Sequence, residues 1–206
     1  MTVLTIALAK GRLLKSFIAY LESQGQNDLA AQLKSRERQL QIKVSPFHFL
    51  FVKGNDVPIY VEQGIADIGI TGSDILNEAQ YDVNQLLALP FGQCHFSVAA
   101  FDETTDYHKV ATSFPKTARD YFKATGRDVE LIELSGSIEL ACVIGMVDGI
   151  VDIVQTGTTL RSNGLVEKEH ITDIQAQLIT NRQSFFTQSS EIDAFINMLG
   201  VSLIDR

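Results

Sequence analysis

The order of apolar and polar positions along the chain predicts an alternation of strands and helices. Short apolar runs rich in β-branched residues are typical of buried strands, whereas apolar residues that recur every three or four positions are typical of helices. Strands are predicted at residues 3–9, 40–44, 47–52, 67–70, 86–90, 94–101, 109–113, 129–133, 150–154, 170–174 and 177–180. Helices are predicted at residues 13–21, 56–63, 115–125, 137–144 and 192–199, with short ones beginning near residues 74 and 157. This alternation indicates an α/β fold with mainly parallel sheets.

Turn residues set several of these boundaries. The strands at 40–44 and 47–52 flank a turn at Ser45-Pro46. Asp56 is predicted to cap the helix that carries Pro58 in its first turn. The number of strands is high for one simple sheet, which favours two lobes with a cleft between them. No repeat, linker or shift in composition marks a boundary between domains.

Composition narrows the class of protein. Hydrophobic residues form 45% and charged residues 20% of the 206 residues, as in ordinary globular proteins. No apolar run approaches the roughly 20 residues of a membrane-spanning helix, and the first ten residues lack the basic head of a signal peptide. Cys94 and Cys142 lack the spacing of paired metal ligands. We therefore expect a cytoplasmic protein with reduced thiols and no contact with a membrane.

Charge is distributed unevenly along the chain. The net charge of −8 argues against a nucleic-acid partner. Residues 1–53 nevertheless carry eight Lys or Arg and only three acidic residues, a net charge of +5. A basic segment within an acidic protein is typical of a site for a small polyanion, although solvated helix faces would give the same pattern.

Residues 151–161 carry the clearest chemical signal. A buried strand ends in the turn Gln155-Thr156-Gly157-Thr158-Thr159, where a helix begins. Backbone N–H groups and the positive helix end would meet there, three hydroxyls would add donors, and Gly157 would permit close approach. These features suit a phosphate monoester, with Asp152 placed to accept hydrogen bonds from sugar hydroxyls. The segment lacks the ending of a Walker loop, and a capped helix start without a ligand is the alternative.

The same segment, DIVQTGTTLRSNGL at residues 152–165, resembles the phosphoribosyl pyrophosphate loop of ATP phosphoribosyltransferases. Four further blocks that resemble this family precede this segment, in the same order as in the family. They are ALAKGR at 7–12, GNDVP at 54–58, GIADIGITG at 64–72 and LSGSIELA at 134–141. Several spaced blocks in the right order are far more specific than one glycine-containing loop. The resemblance covers nearly the whole chain.

The resemblance implies a two-lobed fold similar to type II periplasmic binding proteins, with the active site in the interlobe cleft. The first α/β lobe would comprise residues 1–90 and 178–206, and the second, with the phosphoribosyl pyrophosphate loop, residues 91–177. Because the chain ends after the last helix of the catalytic part, it resembles the short form of the family. That form implies a regulatory partner similar to the histidyl-tRNA synthetase core, in a hetero-oligomer that also contains contacts between copies of this chain.

The implied reaction is attack by adenine N1 of ATP on the anomeric carbon of phosphoribosyl pyrophosphate, with release of pyrophosphate, as the first step of histidine biosynthesis. A ring nitrogen is already nucleophilic, so the protein mainly has to align the substrates and neutralise the leaving group. Magnesium (Mg²⁺) is expected to share this task, bound mainly through substrate phosphates and water, with no metal site made by the protein alone.

Site residues follow from matching the family blocks position by position. The assignments are Arg12 and Arg38 as catalytic contacts to pyrophosphate; Lys10, Gly11 and Lys53 to substrate phosphates; Glu139 and Asp152 to the ribose hydroxyls; and Thr156, Gly157, Thr158 and Thr159 to the 5′-phosphate. Arg36 is an alternative to Arg38, and Glu139 could instead cap its helix or form a salt bridge. Asp67 and the four histidines are expected to be structural or surface residues.

Two other functions fit parts of the pattern. A small-anion binding protein without catalysis would suit the Gly64–Gly72 block equally well, but the threonine-rich loop and the missing export signal argue against it. A regulatory subunit that has kept only the fold is the other possibility. The presence of Lys10, Arg12 and Asp152 argues against that role.

Overall fold

A computed structural model describes residues 3–202. The strands are β1 (Leu4–Ala9), β2 (Gln41–Val44), β3 (Phe47–Val52), β4 (Ile68–Gly72), β5 (Asn84–Ala88), β6 (Cys94–Ala100), β7 (Lys109–Thr112), β8 (Glu130–Glu133), β9 (Gly149–Val154), β10 (Val166–Ile174) and β11 (Ala176–Thr180). The helices are α1 (Arg12–Ser23), α2 (Asn27–Lys34), α3 (Val57–Glu62), α4 (Ser73–Glu78), α5 (Pro115–Ala124), α6 (Glu139–Val143), α7 (Thr158–Ser162), α8 (Arg182–Thr187) and α9 (Ser189–Met198), with a 3-10 helix at Gly54–Asp56. The predicted α/β class is confirmed.

The chain forms two compact units, each with its own sheet. The first unit comprises the described residues up to Gly92 and those from Gln175 onward, and the second comprises Gln93–Ile174. The strand order is β2-β3-β1-β4-β11-β5 in the sheet of the first unit and β10-β6-β9-β7-β8 in that of the second. The chain therefore leaves the first unit after β5 and returns to it at β11.

Three parallel strands form the centre of the first sheet. Ala9 of β1 pairs with Val52 of β3, and Leu8 pairs with Ile70 of β4, so the carboxyl ends of the three strands lie at one edge. The strands β2, β11 and β5 are antiparallel to their neighbours. Ligands of open α/β sheets bind beside the carboxyl ends of parallel strands, so this edge of the sheet is a candidate binding site.

Helix α1 closes the core of the first unit because its apolar residues recur on one face. Leu13, Phe17 and Leu21 lie four positions apart and are buried, with Phe17 and Leu21 fully inaccessible. Phe195 of α9 is also fully buried in the same core. Each such side chain contributes about 1.5–3 kcal/mol to folding through burial alone.

Asp67 joins the two chain segments that build the first unit. Its Oδ2 accepts a hydrogen bond from the Thr5 N–H at 2.8 Å, and its Oδ1 accepts one from the Ser184 hydroxyl at 2.7 Å and another from the Gln188 amide. Ser184 and Gln188 lie in and after α8, far along the chain from β1. These contacts agree with the structural role expected for Asp67.

The second sheet has a different helix layer on each face. The α5 residues Ala118 and Phe122 pack with Val151 of β9 on one face. Ile150, the neighbour of Val151, packs with Leu160 of α7 on the other face, which also holds the apolar residues of α6. Successive strand residues point to opposite faces, so Asp152 lies on the face covered by α6 and α7.

The prediction of mainly parallel sheets is wrong. Among the described strands, five of nine pairings are antiparallel. An apolar run shows that a strand is buried but carries no information about its direction, which depends on how the chain returns. Asp56 stands at the predicted N-cap position of α3, but it has helical backbone angles as the last residue of a 3-10 helix, and its side chain makes no capping hydrogen bond.

Two helices lie outside the predictions, and one strand is longer than predicted. Helices α2 and α8 were not predicted because each is short, with few buried positions to mark a helical face. Strand β10 begins earlier than predicted, at Val166, because its first half contains three consecutive charged residues and so lacks an apolar run. Within residues 3–202, no helix has the length and apolar character needed to cross a membrane.

Candidate functional site

The turn after β9 has the backbone of an anion-binding loop. Gly157 has φ of +67°, a left-handed conformation that favours glycine, and α7 begins at the next residue. Thr156, Thr158 and Thr159 are exposed, and the hydroxyl oxygens of Thr156 and Thr158 lie 3.0 Å apart in a hydrogen bond. The first N–H groups of a helix have no acceptor within it and remain available to a phosphate. Because α7 spans only five residues, its dipole would add little to the binding of an anion here, which would depend on these local donors.

Two side chains of the α7 region hold this loop. Arg161 Nη2 donates to the Thr156 carbonyl at 2.8 Å and lies 3.4 Å from the Thr158 hydroxyl oxygen. Asn163 Nδ2 donates to the Thr159 carbonyl at 2.9 Å. Sequence analysis gave neither residue a role. In the sequence, the only indication of such a role was that both residues lie within about one helical turn after the threonines.

Asp152 and Glu139 lie within electrostatic reach of one another in the second unit. Asp152 is partly buried on β9, and its Oδ1 accepts a hydrogen bond from the Ile153 N–H at 2.7 Å. Burial raises the pKa of Asp152 to about 6, the hydrogen bond from Ile153 partly opposes this rise, and the charge of Glu139 adds to it. The two residues predicted to contact ribose hydroxyls are therefore brought together. Glu139 also opens α6, where a carboxylate favours the helix itself.

A buried serine beside Asp152 was missed by sequence analysis. Ser97 of β6 pairs directly with Asp152 of β9. Opposite residues of an antiparallel pair lie on the same face, with Cβ atoms about 5 Å apart. Ser97 is fully buried, and its hydroxyl has no hydrogen-bond partner among residues 3–202. In the sequence, Ser97 is marked only as a polar residue between apolar neighbours, because the pairing of β6 with β9 cannot be seen there.

A cavity of about 410 Å³ adjoins the loop within the second unit. The loop contributes Gln155, Thr156 and Gly157 to its wall, and His95 and Glu167 line another part, where they hydrogen bond at 3.0 Å. A larger open cavity of about 550 Å³ lies beside α5, but none of the predicted site residues line it. Arg161 also lines the smaller cavity, whereas the predicted site residues Asp152, Glu139, Thr158 and Thr159 do not. The cavity therefore lies on the side of the loop that faces the Arg161 guanidinium.

In the first unit, the basic residues follow the carboxyl ends of the parallel strands. Lys10 comes directly after β1 and Lys53 directly after β3, and both are exposed. The Lys10 N–H donates to the Val52 carbonyl at 2.9 Å, which holds the ends of the two strands together. Gly11 follows with φ of +84° and ψ of −132°, a conformation open to glycine. The chain then enters α1 at Arg12.

Arg12 lies close to a buried carboxyl group that sequence analysis did not select. Its Nη1 donates to the Gly92 carbonyl at 3.1 Å. Asp74, in the first turn of α4, is only 8% exposed, and burial raises its pKa. The backbone N–H groups of Asp74 and Ile75 and the charge of Arg12 act in the opposite direction. The available signal was an acidic residue two positions after β4, at the sheet edge where Lys10 follows β1.

The structure separates the two arginines that were alternatives for one role. The guanidinium of Arg36 lies 4.4 Å from the centre of the Phe51 ring, and its Nη1 donates to the Gln39 carbonyl at 2.9 Å. Arg38 is exposed in the same loop. This loop leads into β2, whose first residue, Gln41, pairs with Leu50 near the carboxyl end of β3. The loop therefore reaches the sheet edge where Lys53 lies.

The histidines and carboxylates do not form a metal centre in the described part of the chain. Among residues 3–202, no group of three or more His, Cys, Asp or Glu side chains is arranged to hold a metal ion. His95 and His170 stack with their ring centres 5.0 Å apart, and His170 Nε2 lies 2.8 Å from Asp173. These contacts at the edge of the second sheet agree with the structural or surface role expected for the histidines.

Two α/β units on separate sheets, with the chain returning to the first unit, define a fold of the type II periplasmic-binding-protein class. The chain is similar in fold to an ABC transporter structure from Parabacteroides distasonis, with a TM-score of 0.55, 13% identity and coverage of 96% of this chain and 72% of the other. Residues 53–200 match the family described as HisG: ATP phosphoribosyltransferase. The chain belongs to the ATP phosphoribosyltransferase family, which confirms the resemblance noted in the sequence.

Curated relatives and a solved structure agree with this family. An ATP phosphoribosyltransferase from Staphylococcus saprophyticus is 64% identical over 204 residues, which are 99% of this chain and 100% of that protein. One from Staphylococcus aureus is 62% identical over 201 residues, or 98% of each chain. A structure of the ATP phosphoribosyl transferase (HisG:HisZ) complex from Thermotoga maritima contains a chain with a TM-score of 0.77 and 29% identity, covering 96% of this chain and 97% of the other.

Proposed function

We propose that this chain transfers the phosphoribosyl group of phosphoribosyl pyrophosphate to N1 of the adenine of ATP, as the first step of histidine biosynthesis. The observation that carries the proposal is the loop Thr156–Thr159 beside Asp152, in a chain of the ATP phosphoribosyltransferase family. A bond forms between N1 and the anomeric carbon, and the bond from that carbon to pyrophosphate breaks. The activity is that of a pentosyltransferase, and its products are phosphoribosyl-ATP and pyrophosphate.

The second unit binds the ribose 5-phosphate part of the donor substrate. The backbone N–H groups after Gly157 and the hydroxyls of Thr156, Thr158 and Thr159 donate to the 5′-phosphate. Asp152 accepts hydrogen bonds from ribose hydroxyls, and Glu139 lies close enough to share this task. The ionised form of Asp152 is the better acceptor, so ribose binding and ionisation of Asp152 favour each other.

The first unit neutralises the pyrophosphate that leaves. Arg12 and Arg38 contact the pyrophosphate, and Lys10, Gly11 and Lys53 contact substrate phosphates. This assignment rests on the exposure of these cations and on their place at the carboxyl edge of the first sheet. We choose Arg38 over Arg36 because the Arg36 guanidinium is already occupied by Phe51 and by a backbone carbonyl. Fixed positive charge stabilises a leaving group whose negative charge grows in the transition state.

Magnesium suits this arrangement as an ion bound mainly through the substrate. Asp152 and Glu139 provide two neighbouring carboxylates, fewer than an octahedral shell requires, so substrate oxygens and water would supply the rest. When bound, the ion would offset charge on the pyrophosphate. A cation near the two carboxylates would also relieve the repulsion that Glu139 exerts on Asp152.

We further propose that the chain acts in the cytoplasm, in a hetero-oligomer with a regulatory subunit similar to the histidyl-tRNA synthetase core, and that copies of this chain contact one another. Support comes from the similar Thermotoga maritima chain, which belongs to a complex named HisG:HisZ. Co-expression with a candidate partner, followed by size-exclusion chromatography with light scattering, tests the assembly. Elution of both proteins separately would contradict it.

Pyrophosphate release from the purified chain tests the reaction. The assay contains ATP, phosphoribosyl pyrophosphate and magnesium, with and without the synthetase-like partner. Release that requires both substrates is the expected result, and comparison of the two conditions shows whether the partner is needed. Binding of phosphoribosyl pyrophosphate without release under either condition would favour a small-anion binding protein instead.

Replacement of two loop threonines tests the assignment of the loop. Thr158→Ala with Thr159→Ala should raise the Kd for phosphoribosyl pyrophosphate at least about 10-fold, since hydrogen bonds to a charged phosphate are lost. The Kd for ATP should change much less. Thr104→Ala with Thr105→Ala, another adjacent threonine pair of the second unit, is the matched control and should leave both values unchanged. Equal losses for the two substrates would contradict the assignment.

A further inference from the structure

The guanidinium of Arg161 joins residues on both sides of Gly157. Its Nη2 donates to the Thr156 carbonyl at 2.8 Å and lies 3.4 Å from the Thr158 hydroxyl oxygen. Arg161 belongs to the last turn of α7, while the residues it contacts precede and open that helix. One side chain thus links the end of the loop to the start of the helix.

The guanidinium also packs closely against Gly157. A Cβ atom at residue 157 would lie 2.9 Å from Arg161 Nη1, closer than real Cβ contacts allow. Gly157 therefore serves the loop in two ways, since it adopts a φ of +67° and leaves room for the arginine. The arginine therefore contacts the loop directly, although its side chain is exposed.

The contact with the Thr156 carbonyl sets the direction of the N–H group of the next residue, Gly157. In a trans peptide the carbonyl of one residue and the N–H of the following residue point in opposite directions. When Arg161 holds the Thr156 carbonyl on its own side, the Gly157 N–H points to the other side. The carbonyl, which would repel an anion, is thereby kept away from the phosphate.

The contact with Thr158 orients a hydroxyl in the same way. A threonine hydroxyl has one hydrogen to donate and two lone pairs that accept. If one lone pair accepts from Arg161, the hydrogen points away from the guanidinium, toward Thr156 at 3.0 Å or toward a bound ligand. Both contacts of Arg161 thus turn donors of the loop away from the guanidinium.

We propose that Arg161 is a positioning residue, which holds the Thr156–Thr159 loop in the conformation that binds the 5′-phosphate of phosphoribosyl pyrophosphate. This inference rests on the proposed function, which assigns that phosphate to the loop. Arg161 acts through the Thr156 carbonyl and the Thr158 hydroxyl and does not itself contact the phosphate. A planar guanidinium with several donors suits a task that spans two acceptors, whereas a lysine ammonium offers a single point of charge.

Binding and kinetic measurements on Arg161→Ala and Arg161→Lys test the proposal. Calorimetry gives Kd values for phosphoribosyl pyrophosphate, ribose 5-phosphate and ATP, and the pyrophosphate-release assay gives KM and kcat. Arg119→Ala is the matched control, because it removes the same charge from α5, which packs on the opposite face of the sheet. If Arg161→Ala does not fold, Arg161→Met replaces it, since methionine keeps an apolar stem without donors.

Arg161→Ala should raise the Kd for both ribose phosphates at least about 10-fold, the effect of losing a hydrogen bond from a charged donor. The KM for phosphoribosyl pyrophosphate should rise with it, while kcat and the Kd for ATP change less than about 3-fold, a difference below one hydrogen bond. Arg161→Lys should lie closer to the alanine variant than to wild type. Arg119→Ala should match wild type.

Two results would overturn the proposal. Full activity and affinity in Arg161→Lys would show that charge alone matters, and equal losses for ATP and the ribose phosphates would show a general structural defect. Failure of the proposed function is seen separately, as absence of pyrophosphate release from wild type. Ribose 5-phosphate binding would still test Arg161 in that case, because it requires only the loop.

Discussion

Replacing Asp152 by asparagine tests the electrostatics of the site directly. Burial raises the pKa of this carboxyl from its ordinary 3.8 to about 6. One pKa unit corresponds to about 1.4 kcal/mol, so ionised Asp152 costs the folded state on the order of 3 kcal/mol. Asparagine has the same shape without the charge, and its amide oxygen can still accept the hydrogen bond from the Ile153 N–H. The variant should therefore be more stable than wild type wherever Asp152 is ionised.

The pH dependence of this difference follows from the sign of the shift. Because the pKa of Asp152 is higher in the folded than in the unfolded protein, the folded state binds the proton more tightly between pH 3.8 and about 6. Wild type loses stability as pH rises through this window, and the full cost is present above it. The free energy of unfolding of Asp152→Asn should exceed that of wild type by about 1–3 kcal/mol near pH 8 and by much less near pH 4.

Urea unfolding of wild type and Asp152→Asn across this pH range is the assay. Other titrating groups are common to both proteins and largely cancel in the difference. Asp128→Asn, an exposed aspartate of the second unit, is the matched control and should show no such trend. A difference that stays constant with pH would refute the reasoning, since it would mean that the Asp152 carboxyl carries no burial cost.

Two further measurements on the same carboxyl tie stability to function. Glu139→Gln should lower the pKa of Asp152, because the charge of Glu139 raises it. Affinity for phosphoribosyl pyrophosphate should increase in wild type as pH rises through about 6, since the ionised carboxylate is the acceptor for ribose hydroxyls. Asp152→Asn should lose both this dependence and most activity, although it is the more stable protein. Unchanged kinetics in the variant would remove Asp152 from the site.

Three structural predictions can be checked by urea unfolding. Asp67→Ala should lower stability by about 3 kcal/mol or more, because three donors lose their acceptor; a loss below about 1 kcal/mol would contradict this. Gly69→Ala should cost about 1–3 kcal/mol, since its Cβ would lie 2.7 Å from a valine methyl, whereas Gly136→Ala has open space and should be neutral. The bidentate bond from Arg127 lowers the pKa of Glu169, so its stabilisation is present at neutral pH and is lost as pH falls. Glu169→Gln should therefore destabilise at pH 7, and the loss should shrink only as pH falls below 4.5, the ordinary pKa of this group, toward its lowered pKa in the folded protein. A loss independent of pH would contradict this.

The parts of the fold that the sequence predicted are those encoded by neighbouring residues. The apolar run of β1, the turn at Gly11 and the four-residue spacing of Leu13, Phe17 and Leu21 lie within one short segment. The loop after β9 is equally local, because its strand, glycine and threonines are consecutive. Patterns of this kind need no knowledge of the tertiary structure.

The parts that could not be predicted depend on which strands pair. Ser97 lies beside Asp152 only because β6 pairs with β9 in one register. The antiparallel placement of β11 beside β4 likewise depends on the return of the chain after the whole second unit. Neither arrangement can be recognised from the residues involved. Ser97 is only a polar residue between apolar neighbours, and β11 is a strand of ordinary composition.

Arg161 lies between these two cases. Its contacts are local, since it reaches only to Thr156 and Thr158, yet its role depends on the direction of a single peptide unit. A helix pattern places the arginine near the loop, but it does not show whether the side chain points toward a ligand or back toward a carbonyl. Residues that contact a substrate can therefore be found from their chemical type and spacing. Residues that orient them are found only when the backbone they hold is known.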